Sequence, residues 1–214
     1  EEHAMRAILQ QQAGAPQDCQ IADTNKPQAA SNDVLIRVQY AGLNPADYKL
    51  MTNGFPGWEW PHIPGLDGAG EIVAVGRDVK DLQVGDRVAW HSSLKAQGSC
   101  ADFACVPAGC VAVVPAGMDL ATAAAAPCAG LTAYQLIHYK LPQLGTKHTA
   151  LVHAGAGGVG GFAIQLLARL GVSVITTCSP ANNDYCTKLG ASTCIYYNNV
   201  DEAALTAAVM EASK

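Results

Sequence analysis

A chain of 214 residues, with 50% apolar and 14% charged side chains and a formal net charge of −5, has the composition of a globular protein with a sizeable core. It has no basic run of the kind a nucleic-acid binder presents and no apolar run of the roughly 18 residues that a membrane span needs. Small-molecule partners are therefore expected, with no nucleic acid and no membrane, in a soluble cytoplasmic protein.

The leading "EEHA" before Met5 is expected to be a vector remnant. Over the first 115 or so residues, short apolar runs alternate with turn signals, the pattern of a compact all-β unit. "MRAIL", "DVLIRVQYAGL", "GAGEIVAVG", "GDRVAWH", "CADFACVP" and "CVAVVP" are its expected strands. Between them, "NPADYKLMTNG" reads as a helical turn with Pro45 near its start and Gly54 at its end, and "GFPGWEWPHIPG" reads as a loop. From Met118 the composition shifts to helix formers, and Pro127 splits "DLATAAAAPCAGLTAYQLIHYK" into two helices. The junction is placed so that residues 5–120 form one domain and 121–214 a second. In the second, strands "ALVHA", "VSVITTC" and "TCIYY" alternate with helices "VGGFAIQLLARLG", "NNDYCTKLG" and "DEAALTAAVMEAS", which predicts a parallel sheet of βαβ units.

Gly155-Ala156-Gly157-Gly158-Val159-Gly160 fits G-x-G-x-x-G between a strand ending at Ala154 and a helix opening at the last glycine. In that setting Gly155 permits the turn, Gly157 lets backbone approach a pyrophosphate, and Gly160 lets helix and strand pack closely. The competing reading is a tight connection that binds nothing. An acidic residue at the end of the second strand would hold the ribose of NAD and repel a 2′-phosphate. Here that end is Thr177-Cys178-Ser179, and no carboxylate follows before Asp184, inside the next helix. This favours NADP(H), with Ser179 as the phosphate contact.

"AGLNPADYKL", "PHIPGLDGAGEIVAVG", "VGDRVAWH", "AAPCAGLTAYQ" and "HAGAGGVGGFAIQLLARLG" together resemble the medium-chain dehydrogenase/reductase superfamily, specifically its zinc-free quinone oxidoreductase branch, zeta-crystallin among them. The resemblance implies an α/β protein with a GroES-like β-barrel catalytic domain followed by a Rossmann domain. It also implies NADPH-dependent reduction of a quinone or an α,β-unsaturated carbonyl compound. Asn44 and Thr132 would then stand near the nicotinamide, Gly157, Gly158 and Val159 on the pyrophosphate, and Tyr197 against the adenosine phosphate. Where many relatives carry a basic residue after the second strand, this chain has neutral Asn182.

Zinc members of the superfamily bind their catalytic metal through Cys, His and Cys. The matching positions here are Asn44, Leu66 and Cys128, so a catalytic metal is expected to be absent. The carbonyl must then be polarised by a side chain, and Lys49, with Asn44, is the catalytic candidate; a solvated helix-face lysine is the competing reading. Asp47 reads as holding loop geometry, and Trp58 and Trp60 as lining an apolar mouth or simply packing. His62, His91 and His153 fit positions where packing or loop hydrogen bonds suffice. The eight cysteines include no Cys-x-x-Cys pair and read mostly as small buried hydrophobes, with Cys100, Cys105 and Cys110 on alternate strand faces. The competing function is an NADPH-binding protein without turnover, and less favoured still is a zinc alcohol dehydrogenase. Three strands make up half of the usual Rossmann order, so the second domain is expected to be truncated, and relatives pair as homodimers through an edge not present here.

Overall fold

The computed structural model describes residues 4–141, 143–198 and 200–213. The chain forms two compact units, the first running to Cys128 and the second from Ala129.

In the first unit, strand β1 (Ala4–Leu9) pairs antiparallel with β2 (Gln20–Asn25). Strands β3 (Asp33–Gly42), β4 (Asp67–Val75), β5 (Arg87–His91), β6 (Phe103–Pro107) and β7 (Val111–Val113) form an antiparallel sheet in the order β6-β3-β4-β5-β7. β2 was not anticipated. Its sequence "QIADTN" is mostly polar and mostly exposed, so it lacks the apolar alternation that marks a half-buried strand, and its pairing with β1 defines it. The inward residues of the larger sheet, Val34, Ile36, Ile72, Val88, Trp90, Ala104 and Val106, close into one core.

Helix α1 (Pro45–Asn53) opens with a capping box between Asn44 and Asp47 and ends at Gly54, whose φ of 69° suits glycine. Helix α2 (Leu120–Ala124) packs on β3, β4 and β5, so this helix-forming stretch sits with the strands of the first unit. Its approach is close: a Cβ on Gly42 would overlap the carbonyl of Ala124.

Helix α3 (Pro127–Gln135) leads into the second unit, with Pro127 where the split was expected. There β8 (Thr149–Val152), β9 (Ser173–Cys178) and β10 (Thr193–Tyr196) form a parallel sheet in the order β10-β9-β8. Helix α4 (Gly158–Arg169) packs on β8 and β9, α5 (Asn183–Leu189) on β9 and β10, and α6 (Glu202–Ala212) on β10. β9, central and buried from Val174 to Cys178, reads as the continuous apolar and Thr run expected of a parallel strand. The core gathers Ile164, Leu167, Val174, Cys178 and Cys186.

Most cysteines are not core residues. None of the eight forms a disulfide, but only Cys178 and Cys186 are buried, Cys110 is exposed and the others are intermediate. Nor do Cys100, Cys105 and Cys110 alternate along a strand. Only Cys105 lies in one; Cys100 precedes β6 and Cys110 closes a short helical turn. Among the described residues, no helix is long and apolar enough to cross a membrane.

Candidate functional site

Parallel pairing carries the ends of β8, β9 and β10 to one edge of the second unit's sheet, with Val152 opposite Thr176 and Tyr196 opposite Cys178. His153–Gly157, Ser179 and Tyr197 follow those strands directly, so the topology groups them at the carboxyl edge, where α/β sheets bind ligands.

The glycine run differs in detail from its sequence reading. β8 ends at Val152 and α4 opens at Gly158 with Gly157 as N-cap, so the turn begins and ends two residues earlier than expected. The left-handed residue is Ala154, with φ 53°, and not Gly155. Gly155 is needed for space: a Cβ there would overlap the Thr176 hydroxyl and stand 2.7 Å from Ile164 Cδ1. A Cβ on Gly160 would overlap the Ala154 carbonyl and lie 2.9 Å from Gly155 Cα, which is the close helix packing expected of it. Gly157 is different, because its Cβ would meet only the Ala154 carbonyl at 3.2 Å. Gly157 N–H donates to Ala154 O at 2.9 Å and Gly161 N–H to Gly157 O at 2.8 Å. Helical geometry leaves the amides of Gly158, Val159 and Gly160 without an intrahelical acceptor, and no side chain caps this end. Three N–H groups at a positive helix end, two of them on glycines, fit a pyrophosphate.

Ser179 Oγ accepts a hydrogen bond from Asn182 Nδ2 at 3.1 Å, a neutral pair at the end of β9. Tyr197 is exposed. Ala156, beside Gly155 in the turn, is partly buried, and Thr132 is exposed on α3.

In the first unit, polar side chains gather around one buried carboxylate. Asp67, at the start of β4, is 0% exposed. Its Oδ2 accepts from Asn44 Nδ2 at 2.9 Å and from the Cys128 amide at 3.0 Å, and its Oδ1 lies 2.6 Å from His91 Nδ1. Asp67 and His91 are directly opposed in the β4–β5 register. Ser99 Oγ–H donates to the Asp67 carbonyl at 2.6 Å and fixes the strand start. Asp47 is a separate brace, its two carboxylate oxygens accepting from the amides of Asn44 at 2.6 Å and Leu66 at 2.9 Å.

Charge follows this geometry. The Asp67 hydrogen bond raises the pKa of His91 above its ordinary value, the largest influence on that ring. Burial raises the Cys128 thiol, and the negative charges of Asp67 and Asp47 raise it further. Burial likewise raises Asp47 against the two backbone N–H groups that favour its anion.

One oxygen of Asp67, one nitrogen of His91 and the sulfur of Cys128 lie within 4.8 Å of one another. Asp67 Oδ1 and His91 Nδ1 do not both fit one zinc shell. Ligands about 2.0–2.1 Å from a tetrahedral ion stand roughly 3.3 Å apart, whereas Asp67 Oδ1 and His91 Nδ1 are 2.6 Å apart with a proton between them. Two atoms sharing a proton cannot both offer lone pairs to a cation.

Lys49 is exposed on α1 and takes no part in the hydrogen bonds around Asp67. Trp58 is held in the loop, stacked on His62 at 3.6 Å between ring centroids and donating from Nε1 to Leu94 O at 2.6 Å, while Trp60 is 40% exposed. Sequence reasoning had left His91 among residues explained by packing and gave Asp67 no role. The available signal was an acid placed among the small residues of "PGLDGAG".

Residues 30–141 match the alcohol dehydrogenase GroES-like domain. The chloroplast envelope quinone oxidoreductase homolog of Arabidopsis thaliana is 37% identical over 186 residues, 84% of this chain and 56% of that protein. A trans-enoyl reductase of Aspergillus terreus, pgmF, is 38% identical over 189 residues, 82% of this chain and 52% of its own length. The crystal structure of Escherichia coli quinone oxidoreductase complexed with NADPH superposes with a TM-score of 0.86 at 27% identity, covering 96% of this chain and 63% of that one. The chain thus spans about half the length of the curated relatives it matches.

Proposed function

Since this chain belongs to the medium-chain dehydrogenase/reductase superfamily, among the quinone oxidoreductases, with a GroES-like domain and the parallel sheet of a Rossmann domain, we propose that it takes part in zinc-independent, NADPH-dependent reduction of a quinone or an α,β-unsaturated carbonyl compound. The observation that carries this reading is the bare helix end at Gly158–Gly160, with neutral Ser179 at the neighbouring strand end.

In this proposal the amides of Gly158, Val159 and Gly160 bind the pyrophosphate, with Gly157 leaving room for its approach. Gly155 and Ala156 hold the turn in shape. Ser179 Oγ and Asn182 Nδ2 turn from each other toward the 2′-phosphate, and Tyr197 packs on the adenosine side. Asn44 and Thr132 flank the nicotinamide; Asn44 is oriented by Asp67 and by its capping box with Asp47. Bound nicotinamide supplies the hydride, and the protein supplies position and field. Lys49 provides positive charge toward the developing oxyanion. Asn44 and Leu66, standing where zinc members of the superfamily carry a Cys and a His ligand, support the zinc-independent form of the reaction.

Fluorescence titration with NADPH and NADH, followed by NADPH consumption against a panel of quinones and enones, tests the proposal. Tighter NADPH binding with turnover is expected. Binding without turnover on any member of the panel would instead support a cofactor-binding protein.

A further inference from the structure

We propose that His91, held on the buried carboxylate of Asp67, is the acid that protonates the substrate oxygen during the reduction, with Asp67 as its positioning residue. This rests on the reductase reading above and assigns a proton source that the reading lacks.

The assignment follows from what each group near Asn44 can give. Asp67 receives N–H donors from Asn44 and Cys128 on Oδ2, and its complete burial makes an unbalanced arrangement costly, so these donors hold it as the anion. The proton between Oδ1 and Nδ1 then resides on Nδ1, which fixes the tautomer and leaves Nε2 as the exchanging nitrogen. The His91 side chain is 32% exposed while that of Asp67 is 1% exposed, so the ring joins a buried anion to the accessible surface. The groups that face the ring are Asp67 from β4, Asp47 from α1 and Cys128 from α3.

The alternatives are weaker donors. Asp47 accepts backbone N–H groups on both oxygens. The Cys128 thiol is pushed up by burial and by two carboxylates, so it holds its proton too tightly at neutral pH. His62 is 3% exposed, and burial lowers its pKa to about 4, so it is neutral where His91 is charged.

For an enone the balance is simple. The β-carbon receives the hydride and its electron pair from the reduced nicotinamide, which is oxidised. The carbon–carbon π pair moves toward the carbonyl, whose oxygen takes the proton from His91 Nε2. The imidazole left neutral recovers a proton from water, and the enol becomes the saturated ketone. Asp67 keeps its negative charge throughout and stabilises the imidazolium before transfer.

The test uses the full chain and has two independent parts. In the unliganded protein, NMR titration of the His91 ring should give a pKa above 6.5, and Asp67→Asn should lower it. In the assay, His91→Gln should lower kcat with an enone by about 100-fold and remove the fall in activity as pH rises through the His91 pKa, with NADPH affinity within twofold of wild type. Asp67→Asn should move that fall to lower pH.

An unaltered pH profile and rate in His91→Gln would overturn the proposal. So would a His91 pKa at or below 6.5 in the free wild-type protein, or stoichiometric zinc bound through His91 and Cys128. If His91→Gln does not fold, the wild-type titration and the Asp67→Asn profile still decide. A wild-type chain that binds NADPH but reduces no quinone or enone refutes the reductase reading, and with it the task assigned to the acid; normal turnover in His91→Gln refutes the acid alone.

Discussion

The two units build their candidate sites from different materials. The second uses backbone: amides at one helix end, with glycines placed where a Cβ would overlap Thr176 or Ala154. The first uses side chains from distant segments, Asn44, His91 and the Cys128 amide, all converging on Asp67. A backbone site should therefore tolerate polar changes around it and fail on added volume, whereas a side-chain site should fail when its central charge is removed.

The largest expected effect tests the first unit. Asp67→Ala would leave the donors of Asn44, Cys128 and His91 without their acceptor in a buried place, costing about 4 kcal/mol in chemical denaturation, against roughly 1–2 kcal/mol for Asp67→Asn. A loss below about 1 kcal/mol in Asp67→Ala would show that Asp67 is not the hub.

Next comes a pH effect. Burial lowers the pKa of His62 from 6.5 to about 4, so between these values the unfolded chain takes up a proton that the folded chain refuses. Stability should fall as pH drops from about 6.5 toward 4, by up to about 3 kcal/mol, and His62→Gln should flatten that decline. Unfolding curves at several pH values measure it; an identical slope in the variant would mean that other groups dominate.

In the second unit, Gly155→Ala should cost about 2 kcal/mol through overlap with Thr176 and Ile164, and should weaken NADPH binding by disturbing the turn. The smallest stability effect belongs to Gly157→Ala, within about 0.5 kcal/mol, because its φ of −78° suits alanine and only a 3.2 Å contact results. Its NADPH affinity should nevertheless fall about tenfold in fluorescence titration. Equal losses of stability in the two variants would erase the distinction drawn between these glycines.

The strands around Val34, Ile72 and Val174 and the helices beginning at Pro45 and Pro127 could be read from the sequence, because apolar period and proline placement act over a few residues. β2 could not, since pairing with β1 and not burial defines it. The strand expected to run to Ala154 stops at Val152; Ala154 is left-handed, and packing against Thr176 reserves the next position for glycine.

For the candidate sites the division follows chain distance. By itself the sequence determined the glycine turn proposed for a dinucleotide: strand, glycines and helix are contiguous, and turn geometry with helix-end polarity needs nothing from elsewhere in the chain. Only the tertiary structure decided that Asp67 meets Asn44, His91 and Cys128, at separations of 23, 24 and 61 residues. Those meetings depend on strand register and on where α3 starts. Register is set by the packing of a whole sheet, so a slip of one residue would turn Asp67 to the opposite face and leave the same sequence without its hub.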